Sequence, residues 1–358
     1  MERMQTTIDI INAKHQSHHS QKKLQKIFSQ VEQKPFIPHP QYRQPHLMTL
    51  AGHFWPRDKF IPEHLTEERI FQTDVEAKVL AHCHWQPNRK NIATLVMAHG
   101  LEGSSSTHYM IGTAIKAIKL GFNVLRVNQR GGGGTHYLSP SPYHPGLSDD
   151  LRAIVKELIE LDQLSEIYLL GFSMGANQSL KLAGEYGEST PPQLKAICAI
   201  SPPIDLAMVT RSMHRPANYF FEANFLRVLH RSLRRYHRFY PTRYDVSQQW
   251  QAFTLRRFEE LFTAPCNGFS SVEEYYTLAS SNRLLDKIKI PTLVIHSQDD
   301  PFIPFKMFEE ARFSATTALL SPINGGHMGF LQGQVDEEDR YWSENRALEF
   351  FNLLRQGT

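Results

Sequence analysis

Residues 167–175 read IYLLGFSMG and form the most informative stretch of the chain. The first four are apolar, as in a strand that is buried on both faces. The other five place Ser173 between Gly171 and Gly175, and a helical pattern follows over 174–184. Because small residues two positions on either side permit a tight bend, we predict that the serine sits on a sharp strand-to-helix turn. The alternative is a glycine-rich turn whose serine only caps the helix.

Strand and helix patterns alternate on both sides of this turn. Buried strands that alternate with helices predict an α/β fold, with a mostly parallel sheet and helices on both of its faces. The predicted strands are residues 75–82, 92–98, 122–127, 167–170, 196–200, 292–296 and 317–320, and the predicted helices are 109–120, 148–161, 174–184 and 340–354.

The alternation divides the chain into three parts. Residues 1–35 are rich in Gln, His and Lys and predict a mobile polar arm that ends in a short amphipathic helix. Residues 36–202 and 287–358 carry the α/β core. Residues 203–286 interrupt the alternation with helical or irregular, aromatic-rich sequence. Since an insertion at the carboxyl edge of a parallel sheet lies over the crevice where ligands bind, we predict that this segment is a cap.

The arm contains two minor patterns. Its helix is marked by four spaced apolar residues, Leu24, Ile27, Phe28 and Val31. Three histidines precede the helix: His15, His18 and His19. A metal site is an alternative for these histidines, but no cysteine or acidic partner completes one, so we interpret them as solvated polar residues.

The amino-acid composition limits the classes of protein to which the chain can belong. With 358 residues, 41% of them hydrophobic and 21% charged, the chain has the make-up of a globular protein. A formal charge of +3 is too small to predict nucleic-acid binding. Three widely spaced cysteines suit a reducing compartment, and neither a signal-peptide core nor a bilayer-spanning stretch is present. We therefore expect a cytoplasmic location.

Two residues downstream of the serine complete a candidate catalytic set. Acyl transfer through a serine requires a base and an acid that orients the base, and after this kind of turn they follow in the order Asp, His. Asp300 comes directly after the strand 292–296, and His327 lies on a glycine-rich loop after the last strand. Asp299 competes with Asp300, but we assign it to the turn itself.

A loop after the strand 92–98 supplies a candidate oxyanion hole. The strand is followed by HGLEG at residues 99–103. We predict that the backbone N–H groups of Leu101 and Met174 stabilise the developing oxyanion, the latter from the positive end of a helix. His99 and Glu102 either hydrogen-bond to the site residues or only shape the loop.

With these residues identified, the chain resembles the YheT-like branch of the α/β-hydrolases, which includes bacterial proteins classed as esterases and eukaryotic medium-chain ester hydrolases and acyltransferases. The resemblance extends from Phe36 onward. It rests on PHPQY at 38–42, HLMTL at 46–50, HGLEGS at 99–104, NQRG at 128–131, GFSMG at 171–175, SVEEYY at 271–276, DDPF at 299–302 and GGHMGF at 325–330.

The resemblance implies an α/β-hydrolase fold with a helical cap and a Ser173-Asp300-His327 triad. It also implies cleavage of carboxylic esters with short- to medium-chain acyl groups, without a cofactor or a metal.

Two features depart from the family pattern. The strand that usually ends in Asp-Trp ends here in His84-Trp85, and the Arg-Gly turn is expanded to four glycines at 131–134. Arg130, before these glycines, is expected to be a structural anchor that bonds carbonyls.

The cap carries two further expectations. Between Arg211 and Arg238 there are seven arginines and one acid, Glu222. This basic stretch either contacts an anionic membrane surface or an acidic substrate, or is a solvated face paired with acids elsewhere, and the second interpretation is preferred. Three aromatic residues of the cap are predicted to line the acyl pocket: Phe220, Phe221 and Phe225.

Three function classes remain open at the level of sequence. The first is an esterase whose small-molecule, acyl-lipid-like substrate forms an acyl-enzyme with Ser173. The second is an acyltransferase that uses the same residues but passes the acyl group to an alcohol. The third is a binding protein that kept the fold but does not catalyse a reaction. The complete set of candidate catalytic residues argues against this class. No nucleic-acid partner is predicted.

Overall fold

One sheet of eight strands runs through the part of the chain that the structure, a computed structural model, describes: residues 21–57, 61, 66–334 and 338–357. The strands follow the order β1-β2-β4-β3-β5-β6-β7-β8 across the sheet. Their bounds are β1 Glu67–Gln72, β2 Lys78–His84, β3 Thr94–Ala98, β4 Asn123–Asn128, β5 Ile167–Phe172, β6 Leu194–Ile200, β7 Thr292–Ile295 and β8 Thr317–Leu320.

Most neighbouring strands run parallel. Strand β2 pairs antiparallel with β1 and with β4. The other neighbours in the sheet, in the order β4-β3-β5-β6-β7-β8, pair in parallel. All residues of β3, β4 and β5 are buried. Strands β3 and β5 accordingly read as nearly continuous apolar runs, whereas β4 also buries Asn123, Arg126 and Asn128. The prediction of a mostly parallel sheet is confirmed.

Helices cover both faces of the sheet. The helix over residues 21–32 (α1), α3 and α12 pack on one face, and α4 and α5 pack on the other. The longer helices are α2 Pro45–Phe54, α3 His108–Lys119, α4 Asp149–Glu160, α5 Met174–Tyr186, α6 Leu206–Met213, α7 Tyr219–Phe239, α10 Val272–Ala279 and α12 Trp342–Gln356. The short ones are α8 Leu255–Phe258, α9 Ala264–Cys266 and α11 Lys306–Glu309, with a π-helical turn at Glu259–Thr263 between α8 and α9.

The first two strands differ from the prediction. The strand predicted at residues 75–82 begins only at Lys78, because Val75 and Glu76 lie in the turn between β1 and β2. Strand β1 was not predicted. It is the edge strand of the sheet, and its sequence EERIFQ buries only Phe71, so it lacks the apolar signal of an internal strand.

The predicted amphipathic helix of the arm is present and packed. Leu24, Ile27, Phe28 and Val31 are all buried, and the Phe28 ring stacks on that of Phe350 in α12 with 5.8 Å between centroids. Residues 21–32 are therefore part of the α/β core. Residues 1–20, with the three histidines, lie outside the described residues. Within the described ranges no group of histidine, cysteine, aspartate and glutamate side chains is arranged to hold a metal ion.

The chain between β6 and β7 forms the predicted helical insertion, with α6 to α10. Helix α7 is amphipathic and buries Leu226, Leu233 and Tyr236 against the rest of the insertion. Its other face is exposed. No helix among the described residues combines the length and apolarity needed to cross a bilayer.

Candidate active site

Ser173 lies on a strained turn at the carboxyl end of β5. Its backbone has φ 49° and ψ −114°, which side-chain-bearing residues seldom adopt, directly before helix α5. A Cβ atom at Gly171 would lie 2.3 Å from the carbonyl oxygen of Gly175, and one at Gly175 would lie 2.4 Å from that of Ala98. Both glycines are therefore required by close backbone contacts, and the turn holds the serine hydroxyl above the sheet edge.

The structure brings the three predicted residues together in one hydrogen-bonded chain. His327 Nε2 lies 3.0 Å from Ser173 Oγ, and His327 Nδ1 lies 2.8 Å from Asp300 Oδ2. Since the carboxylate faces Nδ1, this nitrogen is assigned the ring proton, and Nε2 is left as a hydrogen-bond acceptor toward the serine hydroxyl.

The Asp300 carboxylate is buried and fixed. Its Oδ1 accepts hydrogen bonds of 2.9 Å from the N–H groups of Phe302 and Ile303. Burial alone would raise the pKa of Asp300, but attraction and hydrogen bonding to His327 outweigh it and hold that pKa below its ordinary value. Asp299 instead accepts from the backbone of Gly326 at 2.9 Å, so it serves the loop that carries the histidine.

Two supports of that loop were not found from the sequence. The backbone N–H of His327 donates to Thr49 Oγ1 of α2 at 2.9 Å, and Ser297 Oγ donates to the carbonyl of Gly326 at 2.7 Å. Thr49 belongs to the HLMTL motif at residues 46–50. This motif indicates the family, but it does not predict the contact between Thr49 and His327. Helix α2 thus holds the histidine in place.

The predicted oxyanion-hole residues border the same cavity as Ser173. Leu101 and Met174 both line it. Met174 is the first residue of α5, where backbone N–H groups have no partner within the helix. The loop with Leu101 is fixed beside Ser173, since Gly100 N–H donates to Tyr109 Oη at 2.9 Å and a Cβ at Gly100 would lie 3.1 Å from Ser173 Cβ.

His99 and Glu102 shape this loop rather than reach the reacting atoms. His99 is buried, with Nδ1 2.7 Å from the carbonyl oxygen of Gly100 and Nε2 accepting from Gln129 N–H at 3.1 Å. Burial lowers its pKa to about 4, so the ring is neutral. The N–H of Glu102 donates to Tyr143 Oη, and burial raises the pKa of the Glu102 carboxyl to about 7, although Arg235 and Arg231 oppose the shift.

Arg130 is held as a structural anchor, as predicted, but its partner differs from the predicted carbonyl groups. Its Nε and Nη2 donate to the carboxylate of the buried Asp150 at 2.9 and 2.7 Å, rather than to carbonyls. The glycine turn after it is packed between His99 and the cap, where Tyr236 of α7 lies against Gly131.

A mainly apolar cavity of about 120 Å³ lies over Ser173 and His327, under the insertion. Phe225 lines it, as predicted for the acyl pocket. Phe221 does not line it, but packs on Phe302 with 4.8 Å between centroids, and Phe302 in turn contacts the His327 ring at 5.2 Å. Phe220 is 76% exposed, and the structure does not bring it to the cavity.

One polar feature of the cavity wall was not found from the sequence. Glu259, at the start of the π-helical turn, lines the cavity together with Thr210 and Thr263.

Residues 93–334 match the family model described as the alpha/beta hydrolase fold. Phospholipase ABHD3 of Mus musculus is 30% identical over 243 residues, which are 67% of this chain and 59% of that protein. The matched region spans about 60% of the length of the ABHD3 relatives. YheT of Escherichia coli (strain K12) is 26% identical over 315 residues, 87% of this chain and 91% of YheT, which confirms the resemblance to that branch.

Solved structures share the fold. An esterase of Pyrococcus furiosus superimposes with a TM-score of 0.54 at 18% identity, over 83% of this chain and 97% of that one. At this level of identity the likeness concerns the arrangement of the sheet and helices.

Proposed function

The chain belongs to the α/β-hydrolase fold family, and on that premise we propose that it is a serine esterase that cleaves short- to medium-chain carboxylic esters. The observation that carries the proposal is the hydrogen-bonded chain from Asp300 through His327 to Ser173, which ends in a mainly apolar cavity. Such a cavity suits an acyl chain, and the hydroxyl at its edge suits attack on the ester carbonyl. The name phospholipase of the mouse relative agrees with action on acyl esters.

The proposed reaction has two halves. In the first, Ser173 Oγ bonds to the ester carbonyl carbon while its proton passes to His327 Nε2, and the negative carbonyl oxygen is held by the N–H groups of Leu101 and Met174. The C–O bond to the alcohol then breaks, and the proton on Nε2 leaves with the alcohol. In the second half, water attacks the acyl-Ser173 ester, gives its proton to Nε2, and the acid departs as Oγ regains that proton.

The test of this proposal is covalent labelling combined with hydrolysis. We expect the wild-type chain to be labelled by a fluorophosphonate and to hydrolyse p-nitrophenyl hexanoate, and Ser173→Ala to lose both, by roughly four or more orders of magnitude in kcat. Ser247→Ala, an exposed serine of the cap, is the matched control and keeps both activities. Folded wild-type protein that takes no label would instead favour the binding-protein alternative.

The same assay separates hydrolysis from acyl transfer. With ethanol or glycerol added, an esterase releases mainly hexanoic acid, whereas an acyltransferase produces the new ester. Mainly new ester at modest alcohol concentration would replace hydrolysis by transfer in the proposal.

We further propose that the exposed face of α7 contacts an anionic membrane surface. Five arginines of α7 are exposed, and none of them forms an ion pair with a carboxylate of the described residues. The preferred sequence interpretation, a solvated basic face paired with acids elsewhere, agrees with this exposure, but its pairing with acids is limited to the longer-range action of Arg231 and Arg235 on the Glu102 carboxyl. The five are Arg227, Arg231, Arg234, Arg235 and Arg238.

Exposed aromatic residues adjoin this basic face. Trp250 and Phe253 are 79% and 77% exposed. Their loop is attached to α7, because Arg234 Nε donates to Gln249 Oε1 at 2.9 Å. Arginines beside exposed aromatic rings suit the interface of an anionic bilayer, where the rings enter the headgroup region and the charges attract the lipids.

Free Cys83, Cys198 and Cys266 agree with the cytoplasm as the proposed compartment.

A further inference from the structure

Glu259 is the only acidic residue that lines the cavity over Ser173 among the residues that the structure describes. Only 9% of the surface of this residue is exposed. Most of its neighbours on the cavity wall are apolar, including Val209, Phe225 and Leu255. A carboxyl group in such a setting loses solvation, and this cost has to be offset by hydrogen bonds.

Among the residues that the structure describes, hydrogen-bond donors reach only one of the two carboxyl oxygens of Glu259. Oε2 accepts hydrogen bonds from Tyr276 Oη at 2.5 Å and from Thr210 Oγ1 at 3.2 Å. Oε1 has no hydrogen-bond donor among the described residues, and it is not one of the fully enclosed, unbonded polar atoms. Glu259 also borders the cavity over Ser173, which places its carboxyl group within reach of a molecule held there.

The two donors also fix the direction of the group. Tyr276 lies on α10 and Thr210 on α6, so the carboxyl plane is held from two separate helices of the insertion. A polar group that is rigidly held and half satisfied has the properties of a recognition group, because an apolar ligand would leave Oε1 unpaired.

We infer that Glu259 binds a hydroxyl group of the substrate, so that the enzyme selects esters which carry a hydroxyl apart from the scissile bond. The inference rests on the proposed function and names the substrate class of the same site. A hydroxyl is favoured over an ammonium group, because the seven arginines between Arg211 and Arg238 oppose the approach of a cation.

The hydroxyl can belong to either half of the ester, and two pairs of substrates distinguish the sources. Methyl 6-hydroxyhexanoate against methyl hexanoate tests the acyl half. Glyceryl 1-monohexanoate against propyl hexanoate tests the alcohol half. In one pair we expect kcat/KM to be higher for the hydroxylated ester by roughly tenfold, the effect of one additional hydrogen bond.

Variants assign the preference to Glu259. In Glu259→Leu the ratio of kcat/KM within that pair is expected to fall to about one, because the acceptor is gone. Glu259→Gln keeps an oxygen that Tyr276 and Thr210 can bond, and it is expected to retain part of the preference. The matched control is Glu260→Gln, the next residue, whose carboxylate is exposed and paired with Arg257 at 2.8 Å. This control keeps the wild-type ratio.

The outcomes separate the inference from the function on which it rests. Equal kcat/KM within both pairs, in an enzyme that hydrolyses methyl hexanoate and takes a fluorophosphonate label, would overturn the inference and leave the esterase intact. A preference that survives in a folded Glu259→Leu variant would also overturn it. Absence of labelling and of hydrolysis for all four esters would instead remove the proposed function.

Discussion

At the scale of single residues, the carboxyl group of Glu102 is held in a setting that disfavours its charge. It lies on the loop beside Ser173, and burial raises its pKa to about 7 despite Arg235 and Arg231. In the unfolded chain the group has its ordinary pKa near 4.5. Between these two values the folded protein keeps a proton that the unfolded chain has released. The contribution of Glu102 to stability is therefore present below about pH 4.5 and is lost as the pH rises through 7.

We accordingly expect Glu102→Gln to stabilise the protein relative to wild type more at pH 8 than at pH 5. The difference between the two pH values is at most about 3 kcal/mol in the free energy of unfolding, since each unit of pKa shift corresponds to about 1.4 kcal/mol. Urea denaturation at both pH values measures it. Glu188→Gln, with a side chain 83% exposed, is the control and shows no such difference. Equal effects of Glu102→Gln at both pH values would contradict the assignment.

At the scale of elements, helix α7 contributes to the wall that two cavities share. Leu229 on α7 lines the cavity over Ser173 and also a second one of about 50 Å³, which reaches Tyr236 and Phe262. The first cavity, at about 120 Å³, is smaller than the roughly 150 Å³ of a cavity that encloses benzene. As it stands, the site has room for a short acyl group.

Leu229→Ala is expected to join the two cavities and to move the preference toward longer acyl chains. The measurement is kcat/KM for p-nitrophenyl butyrate, hexanoate, octanoate and decanoate, with the optimum shifting by at least two carbons. Leu226→Ala is the matched control, because Leu226 is buried in the same helix and lines neither cavity. Truncation of the buried Leu226 is expected to cost about 2–5 kcal/mol of stability, and truncation of the half-buried Leu229 less. An unchanged optimum in folded Leu229→Ala would show that the cavities stay separate.

The sequence predicted the internal elements and missed contacts between distant ones. Strands β3, β5, β6 and β7 were predicted because burial on both faces produces apolar runs, whereas β1 is a polar edge strand. Thr49 escaped prediction because its partner His327 is 278 positions away. Phe220 was placed wrongly beside Phe225, since five residues advance a helix by about 140°, which turned the first ring to the outside.

At the scale of the whole molecule, the exposed face of α7 and the loop with Trp250 give one side of the protein a basic, aromatic surface. We expect the wild-type chain to sediment with phosphatidylcholine vesicles that contain phosphatidylserine, and less with vesicles of phosphatidylcholine alone. Replacing Arg231 and Arg234 by serine is expected to weaken binding by roughly 30-fold, at about 1 kcal/mol per arginine. Added salt is likewise expected to weaken binding to the vesicles that contain phosphatidylserine, because it screens the charges.

The control for this surface is Arg312→Ser, an exposed arginine outside the insertion. It leaves vesicle binding at the wild-type level. Equal binding to charged and neutral vesicles would contradict the electrostatic part of the proposal. Binding to RNA but to neither kind of vesicle would reassign the surface to a different class of partner.

The hydrogen bond from His327 N–H to Thr49 has a practical consequence for anyone who wishes to shorten this enzyme. The family-matched region, residues 93–334, contains the serine, the acid and the histidine, and looks sufficient as a minimal unit for engineering. It omits α2, whose Gly52 lies against Gly329 of the histidine loop, and it omits α12. A library or fusion partner should therefore begin upstream of Pro45 and keep the final helix, or its members will carry the right residues on an unsupported loop.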